Sequence, residues 1–163
     1  MDTETFVTRL LMALLCGVLI GIERQLRQRS AGLTTNSLVA VGACIFILIS
    51  ESVIENSIKL GGPVNNDNLR VLAQIVTGMG FLGAGVILRD GFTIHGLNSA
   101  ATLWCSAAVG AMCGYGFYVE AVVSVSVILF INWILKFVEH FIEKHQKENP
   151  VADPYKSKES DEL

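Results

Sequence analysis

Residues 73–114 read AQIVTGMGFLGAGVILRDGFTIHGLNSAATLWCSAAVGAMCG, two glycine-studded apolar segments joined by a short polar stretch. Gly78, Gly80, Gly83 and Gly85 fall within eight positions. In a water-soluble helix each glycine would cost about 1 kcal/mol against alanine. In a bilayer the balance differs, because an unpaired backbone group costs several kcal/mol there and small residues let helices approach closely. The pattern therefore predicts membrane helices.

Composition agrees. Hydrophobic residues are 52% of 163 positions, charged residues only 17%, and the mean hydropathy is +0.52, well to the apolar side of ordinary globular chains. Residues 37–50, 71–88 and 97–119 contain no Asp, Glu, Lys or Arg, which a globular surface of this size would not allow. The net charge of -3 comes mostly from the tail and decides little about partners, and no nucleic-acid partner is expected. The start, Met1-Asp-Thr-Glu-Thr, lacks the basic region of a cleavable signal peptide, so the first apolar segment is expected to stay in the protein.

Cys16, Cys44, Cys105 and Cys113 all lie in apolar segments and read as small packing residues rather than a disulfide framework. Their spacing matches no zinc pattern. Neither a metal centre nor a cofactor is expected. No nucleophile–base set and no phosphate-cradling motif stands out, so the chain does not read as an enzyme.

A membrane helix needs about 20 apolar residues, and five segments qualify, at about 6–22, 37–54, 71–88, 97–118 and 119–138. The fold expected is an all-α membrane protein with a transmembrane domain over 1–138. The tail, 139–163, is expected to be cytoplasmic, first an amphipathic helix carrying Phe137, Phe141 and Ile142 from the segment's edge, then disordered after Pro150. Basic residues favour the cytoplasmic side. Placing the N-terminus outside and the C-terminus inside puts Arg24, Arg27, Arg29, Arg89, Lys136, Lys144, Lys147, Lys156 and Lys158 inside, against Arg9, Lys59 and Arg70 outside. The outer stretch 51–70, rich in Gly, Pro and Asn, is expected to be a linker.

Two inner turns resemble each other. Gly32-Leu-Thr-Thr-Asn36 leads to Val41-Gly-Ala-Cys44, and Gly96-Leu-Asn-Ser99 leads to Val109-Gly-Ala-Met-Cys113. This suggests a parallel repeat of two helical hairpins. Two readings of the turns stay open. Thr34, Thr35, Asn36, Asn98 and Ser99 cap their helices, or the positive helix starts and Arg24, Arg27, Arg29 and Arg89 form an anion site.

In the fourth span, Asn98, Thr102, Ser106, Gly110 and Gly114 recur every four residues and so share one helical face, bordered by Cys105. That stripe serves either helix packing or a substrate groove. Gly17 and Gly21 in the first span give a matching small surface, and with Gly110 and Gly114 they should pack within the bundle or against another subunit. Glu23 and Arg24 at the inner end of span one read as an ion pair at the headgroup level or a functional pair, with Glu23 also four residues before Arg27. Mid-membrane carboxylates are missing, which counts against a divalent-cation path.

Four sequence pieces together carry a resemblance. They are Gly17-Val-Leu-Ile-Gly21-Ile-Glu23-Arg24-Gln25, Ala31-Gly32-Leu33-Thr-Thr35-Asn36, the segment from Gln74 through Gly78, Gly80, Gly83 and Gly85, and Gly96-Leu97-Asn98-Ser-Ala100-Ala101-Thr102-Leu-Trp104-Cys105. In order and spacing the chain resembles the MgtC/SapB family of bacterial membrane proteins. The resemblance implies a multi-pass inner-membrane regulator linked to growth under Mg2+ limitation and to intracellular survival of pathogens. It also implies a membrane partner, with inhibition of F-type ATP synthase as the associated mechanism, and points to Asn98 and Cys105, then Glu23 and Arg24, as functional residues. Longer family members carry a soluble C-terminal domain. Only about 25 residues follow Val138 here, too few to bury a core. A transporter or channel for Mg2+ or another small solute is the alternative function, and a homo-oligomer is compatible with either.

Overall fold

In the computed structural model the chain is described over residues 1–61 and 68–148. Five helices follow in order: α1 (Thr3–Leu26), α2 (Leu33–Lys59), α3 (Asn68–Val86), α4 (Leu97–Tyr115) and α5 (Tyr118–Glu148). Among the described residues three helices are long and apolar enough to cross a bilayer, Thr3–Leu26, Leu33–Lys59 and Leu69–Val86. The fourth falls short in hydropathy because Asn98, Ser99, Thr102 and Ser106 sit within its 19 residues. Ser99, Thr102 and Ser106 are buried and so face protein, while Asn98, in the first turn, is exposed.

Three expectations need correction. The fold is not purely helical, because an antiparallel ribbon, β1 (Leu88–Asp90) and β2 (Thr93–His95), joins α3 to α4. Gly91, at φ +59°, closes its turn, a conformation that glycine adopts without steric cost. The outer linker is shorter than 51–70, since α2 runs on to Lys59 with the Glu55–Lys59 pair at 2.8 Å and the N-terminal amine also bound to Glu55. Residues 62–67 lie outside the described ones. Finally, residue 138 is no element boundary, because α5 continues to Glu148. Residues 149–163, where a disordered end was expected, lie outside the described residues.

The chain divides into two units, Met1–Leu129 and a second starting at Phe130. In the first, α2 lies against both α1 and α4. The reason is glycine. A Cβ on Gly17 would stand 2.8 Å from Ser37 Cα, one on Gly21 2.6 Å from Leu33 Cα, one on Gly110 2.0 Å from the Ala40 carbonyl oxygen, and one on Gly114 2.8 Å from Ile47 Cβ. Ala40 is thus held between Gly17 of α1 and Gly110 of α4, the close approach that small residues permit in membranes. Outward from this contact a core of Ala13, Cys16, Ile20, Cys44, Leu48, Val109 and Cys113 takes in Ala121 and Val125 at the start of α5. The α4–α5 turn is closed by Gly116 at φ +82°, with Gly116 N donating to Cys113 O and Phe117 N to Met112 O, a Schellman-type end.

The second unit, in its described part, is the helical continuation of α5 to Glu148.

Helix α3 is attached differently. It touches α4 and α2 through one stripe containing Ile75, Met79 and Val86, and only Met79 among its residues of described burial is buried. Gly83 approaches Ala100 Cβ at an ordinary 3.7 Å, while nothing lies within 4 Å of a Cβ placed on Gly78, Gly80 or Gly85. The eight expected packing glycines therefore fall into two groups. Gly17, Gly21, Gly110 and Gly114 are jammed against α2, and for three of the four in α3 a Cβ would meet nothing within 4 Å among the described residues. The two hairpins of the suggested repeat differ accordingly, the first closed by glycines and the second by larger side chains.

Candidate functional site

A buried polar seam links α1, α2 and α4. At one end Arg24, only 2% exposed, donates from Nη1 to Asn98 Oδ1 at 2.6 Å and from Nη2 to Ser99 Oγ at 2.7 Å. Ser30 Oγ adds a 3.0 Å bond to Ser99 Oγ. One turn along, Thr102 Oγ1 donates to the Asn98 carbonyl at 2.8 Å. Next, Ser106, fully buried, donates to Asn36 Oδ1 at 2.8 Å and to the Thr102 carbonyl. Asn36 Nδ2 donates in turn to the carbonyls of Gly32 and Ala31. The stripe at four-residue spacing becomes a line of hydrogen bonds and then, at Gly110 and Gly114, bare backbone contact.

The contacts bear on each of the readings left open by the sequence. The stripe packs and bonds against α1 and α2, so it is not an open groove. Gly32 and Gly96 stand at the N-cap positions of α2 and α4, with no side-chain cap bond at either. Asn36, Asn98 and Ser99 are thus not caps but members of the seam. Glu23 and Arg24 do not pair with each other. Glu23 turns to Arg27, Oε1 to Nε at 2.6 Å, while Arg24 turns inward. The four arginines make different contacts: Arg24 is enclosed, Arg27 is held by Glu23, Arg29 is exposed, and Arg89 lies on the ribbon with Nε donating to Gly91 O at 3.0 Å. Cys105 is half-buried beside the stripe.

Burial of a guanidinium without a carboxylate partner is costly unless hydrogen bonds replace its water. Asn98 and Ser99 supply two such bonds across the α1–α4 gap. Arg24 Nε remains without a bond. The seam thus holds a positive charge at the level where α4 begins, and a cation would be repelled there.

A second cluster at the other end was not seen in the sequence. Arg9 of α1 pairs with Glu51 of α2 and also donates from Nη1 to the Gly114 carbonyl at 2.6 Å, so one side chain ties three helices. The signal was available. Arg9 interrupts the first apolar segment and Glu51 ends the second, and antiparallel spans put those positions at one depth.

Two apolar cavities flank α3. One of about 560 Å³ lies toward α4, lined by residues including Leu72, Val76, Trp104, Ala108 and Met112. The other, about 670 Å³, lies toward α2 and is lined by Thr35, Leu38, Gly42, Gln74, Gly78 and Leu82 among others. No group of His, Cys, Asp and Glu suited to a metal ion occurs among the described residues.

Comparison with known proteins gives a consistent result. The sequence pattern of the MgtC family matches residues 10–141. An uncharacterized protein of Synechocystis is 47% identical over 146 residues, 90% of this chain and 58% of that one. Protein MgtC of Salmonella typhimurium is 50% identical over 131 residues, 80% of this chain and 52% of its own length. Protein MgtC of Brucella abortus is 50% identical over the same number, covering 51% of its own length. The chain thus spans little more than half the length of these relatives. No solved structure matches it.

Proposed function

Because the chain belongs to the MgtC family, we propose that it is a non-enzymatic regulator of the bacterial inner membrane, linked to low-Mg2+ adaptation and intracellular survival. In this reading all five helices cross the bilayer, with the N-terminus outside and the C-terminus in the cytoplasm. It acts by binding a membrane partner through the outward face of α3, and the membrane subunits of F-type ATP synthase are the partner this reading names.

One observation carries the proposal. Gly78, Gly80 and Gly85 stand in helix α3 with open space where a side chain would be. Glycine suits a membrane helix where it lets another helix approach closely, and among the described residues no atom makes such an approach to these three. Gly78 and Gly85, two turns apart, share one face of α3 while Gly80 lies on another, and a partner helix seated against that pair would make such an approach.

The transport alternative has less support. Its polar stripe is already bonded to Arg24, Asn36 and its own backbone, and the enclosed guanidinium disfavours a divalent cation.

The test is Gly78→Leu and Gly85→Leu, separately, with crosslinking in native membranes and identification of the captured proteins. Since neither position has a neighbour to displace, both variants should insert and unfold like the parent while losing the ATP synthase partner. Capture undiminished in both variants removes α3 as the binding face. Capture of a different membrane protein, lost in the variants, keeps the face and replaces the partner.

A further inference from the structure

The β1–β2 ribbon separates its side chains in a way the turn itself does not require. Its register pairs Leu88 with His95, Arg89 with Ile94 and Asp90 with Thr93. Strand side chains alternate between faces, so Asp90, Thr93 and His95 share one face with Leu88. Arg89 and Ile94 share the other, and Phe92 stands in the turn at the ribbon's tip. One face therefore carries the acid and the polar groups together with Leu88. The opposite face carries Ile94 and the cation, with the Phe92 ring at the tip.

All of these residues are exposed, and Phe92 completely so. Keeping a phenylalanine in water rather than burying it forgoes about 1.5–3 kcal/mol. Arg89 spends only its Nε on the Gly91 carbonyl. Its two η nitrogens have no partner among the described residues.

The ribbon leaves α3 at Val86 and re-enters α4 at Leu97, so it starts at a membrane border. Three residues of strand reach about 10 Å, whereas each headgroup layer is roughly 5–8 Å thick. An upright ribbon would hold Phe92 clear of the bilayer. A ribbon lying flat would place it at the acyl boundary.

We infer that the ribbon is a membrane-surface anchor, lying flat with Phe92 and Ile94 entering the adjacent leaflet and Arg89 at the level of anionic lipid headgroups. The long arginine stem suits this, since it covers apolar surface while its head stays with charge. An anionic leaflet attracts a basic side chain near its surface, and Asp90 on the far face avoids repulsion. The partner is thus a lipid surface rather than a protein, and the inference is independent of the partner proposed for α3.

The experiment uses Phe92→Trp in the full chain, reconstituted into phosphatidylcholine vesicles with and without phosphatidylglycerol. The fluorescence added over the parent, which has its own Trp104 and Trp133, is read with acyl-brominated lipid and with aqueous iodide. The inference expects quenching by bromine and protection from iodide. Adding Arg89→Gln should shift the balance toward iodide only in the anionic vesicles, by about fivefold in partitioning, one basic residue's worth. Quenching by iodide without quenching by bromine overturns the anchor. Quenching by neither means the tip is covered by protein and overturns it as well. An Arg89→Gln effect equal in both vesicles, or absent from both, overturns the anionic-lipid role of Arg89.

Discussion

Gly110→Ala is the smallest substitution that should break the bundle. Its added methyl carbon would start 2.0 Å from the Ala40 carbonyl oxygen and 2.7 Å from the Ala40 Cα, backbone atoms that no rotamer change removes. Relief needs α2 and α4 to part by more than 1 Å. Overpacking of this kind costs about 1–3 kcal/mol. The same displacement stretches the 2.8 Å Ser106–Asn36 bond out of hydrogen-bonding range, adding roughly 0.6 kcal/mol, the average for membrane side-chain bonds. The expected loss is therefore about 2–4 kcal/mol. Unfolding in mixed micelles with rising denaturing detergent measures it. The control is Gly80→Ala on α3, where nothing lies within 4 Å and alanine should gain up to about 1 kcal/mol of helix propensity. If Gly110→Ala unfolds at the parent's midpoint, or Gly80→Ala falls as far as Gly110→Ala, the division of the glycines into two groups is wrong.

The remaining expectations concern the two polar clusters. Asn98→Ala takes one bond from the enclosed Arg24 guanidinium and should cost about 1.5–3 kcal/mol, the range for bonds to a charged group. Asn98→Asp offers a carboxylate in the same place and should lose less, so equal losses in the two variants would contradict the geometry of the seam. At the other end, Arg9→Gln and Glu51→Gln should couple by about 1 kcal/mol in a double-mutant cycle, because each removes the same ion pair. Additive effects within about 0.5 kcal/mol would mean the pair is only incidental.

Much of the seam was present in the sequence as a pattern without partners. The four-residue spacing of Asn98, Thr102 and Ser106 placed them on one face, since helical period alone does that. It did not say that Arg24 and Asn36 would meet them. The reason is sequence separation, because Arg24 to Asn98 and Asn36 to Ser106 are contacts 74 and 70 residues apart. By charge and loop position alone Arg24 belongs with Arg27, Arg29 and Arg89, whereas its own face of α1 turns into the bundle. The Arg9–Glu51 pair went unseen for the same reason. The ribbon was missed because three-residue strands around Asp90-Gly91 carry too little periodicity to stand out from a polar loop.

The sequence by itself determined that this is a helical membrane chain, where its apolar segments lie, and to which family it belongs. Those properties follow from local composition and from motif order, which need no knowledge of contacts. Only the tertiary structure decided what the glycines are for. Gly110 and Gly85 are chemically identical and lie in similar apolar surroundings along the chain. One faces the backbone of α2 at Ala40 and the other faces open space. That difference depends on which helix lies alongside, and helix neighbours are set by packing across the whole bundle rather than by any local stretch.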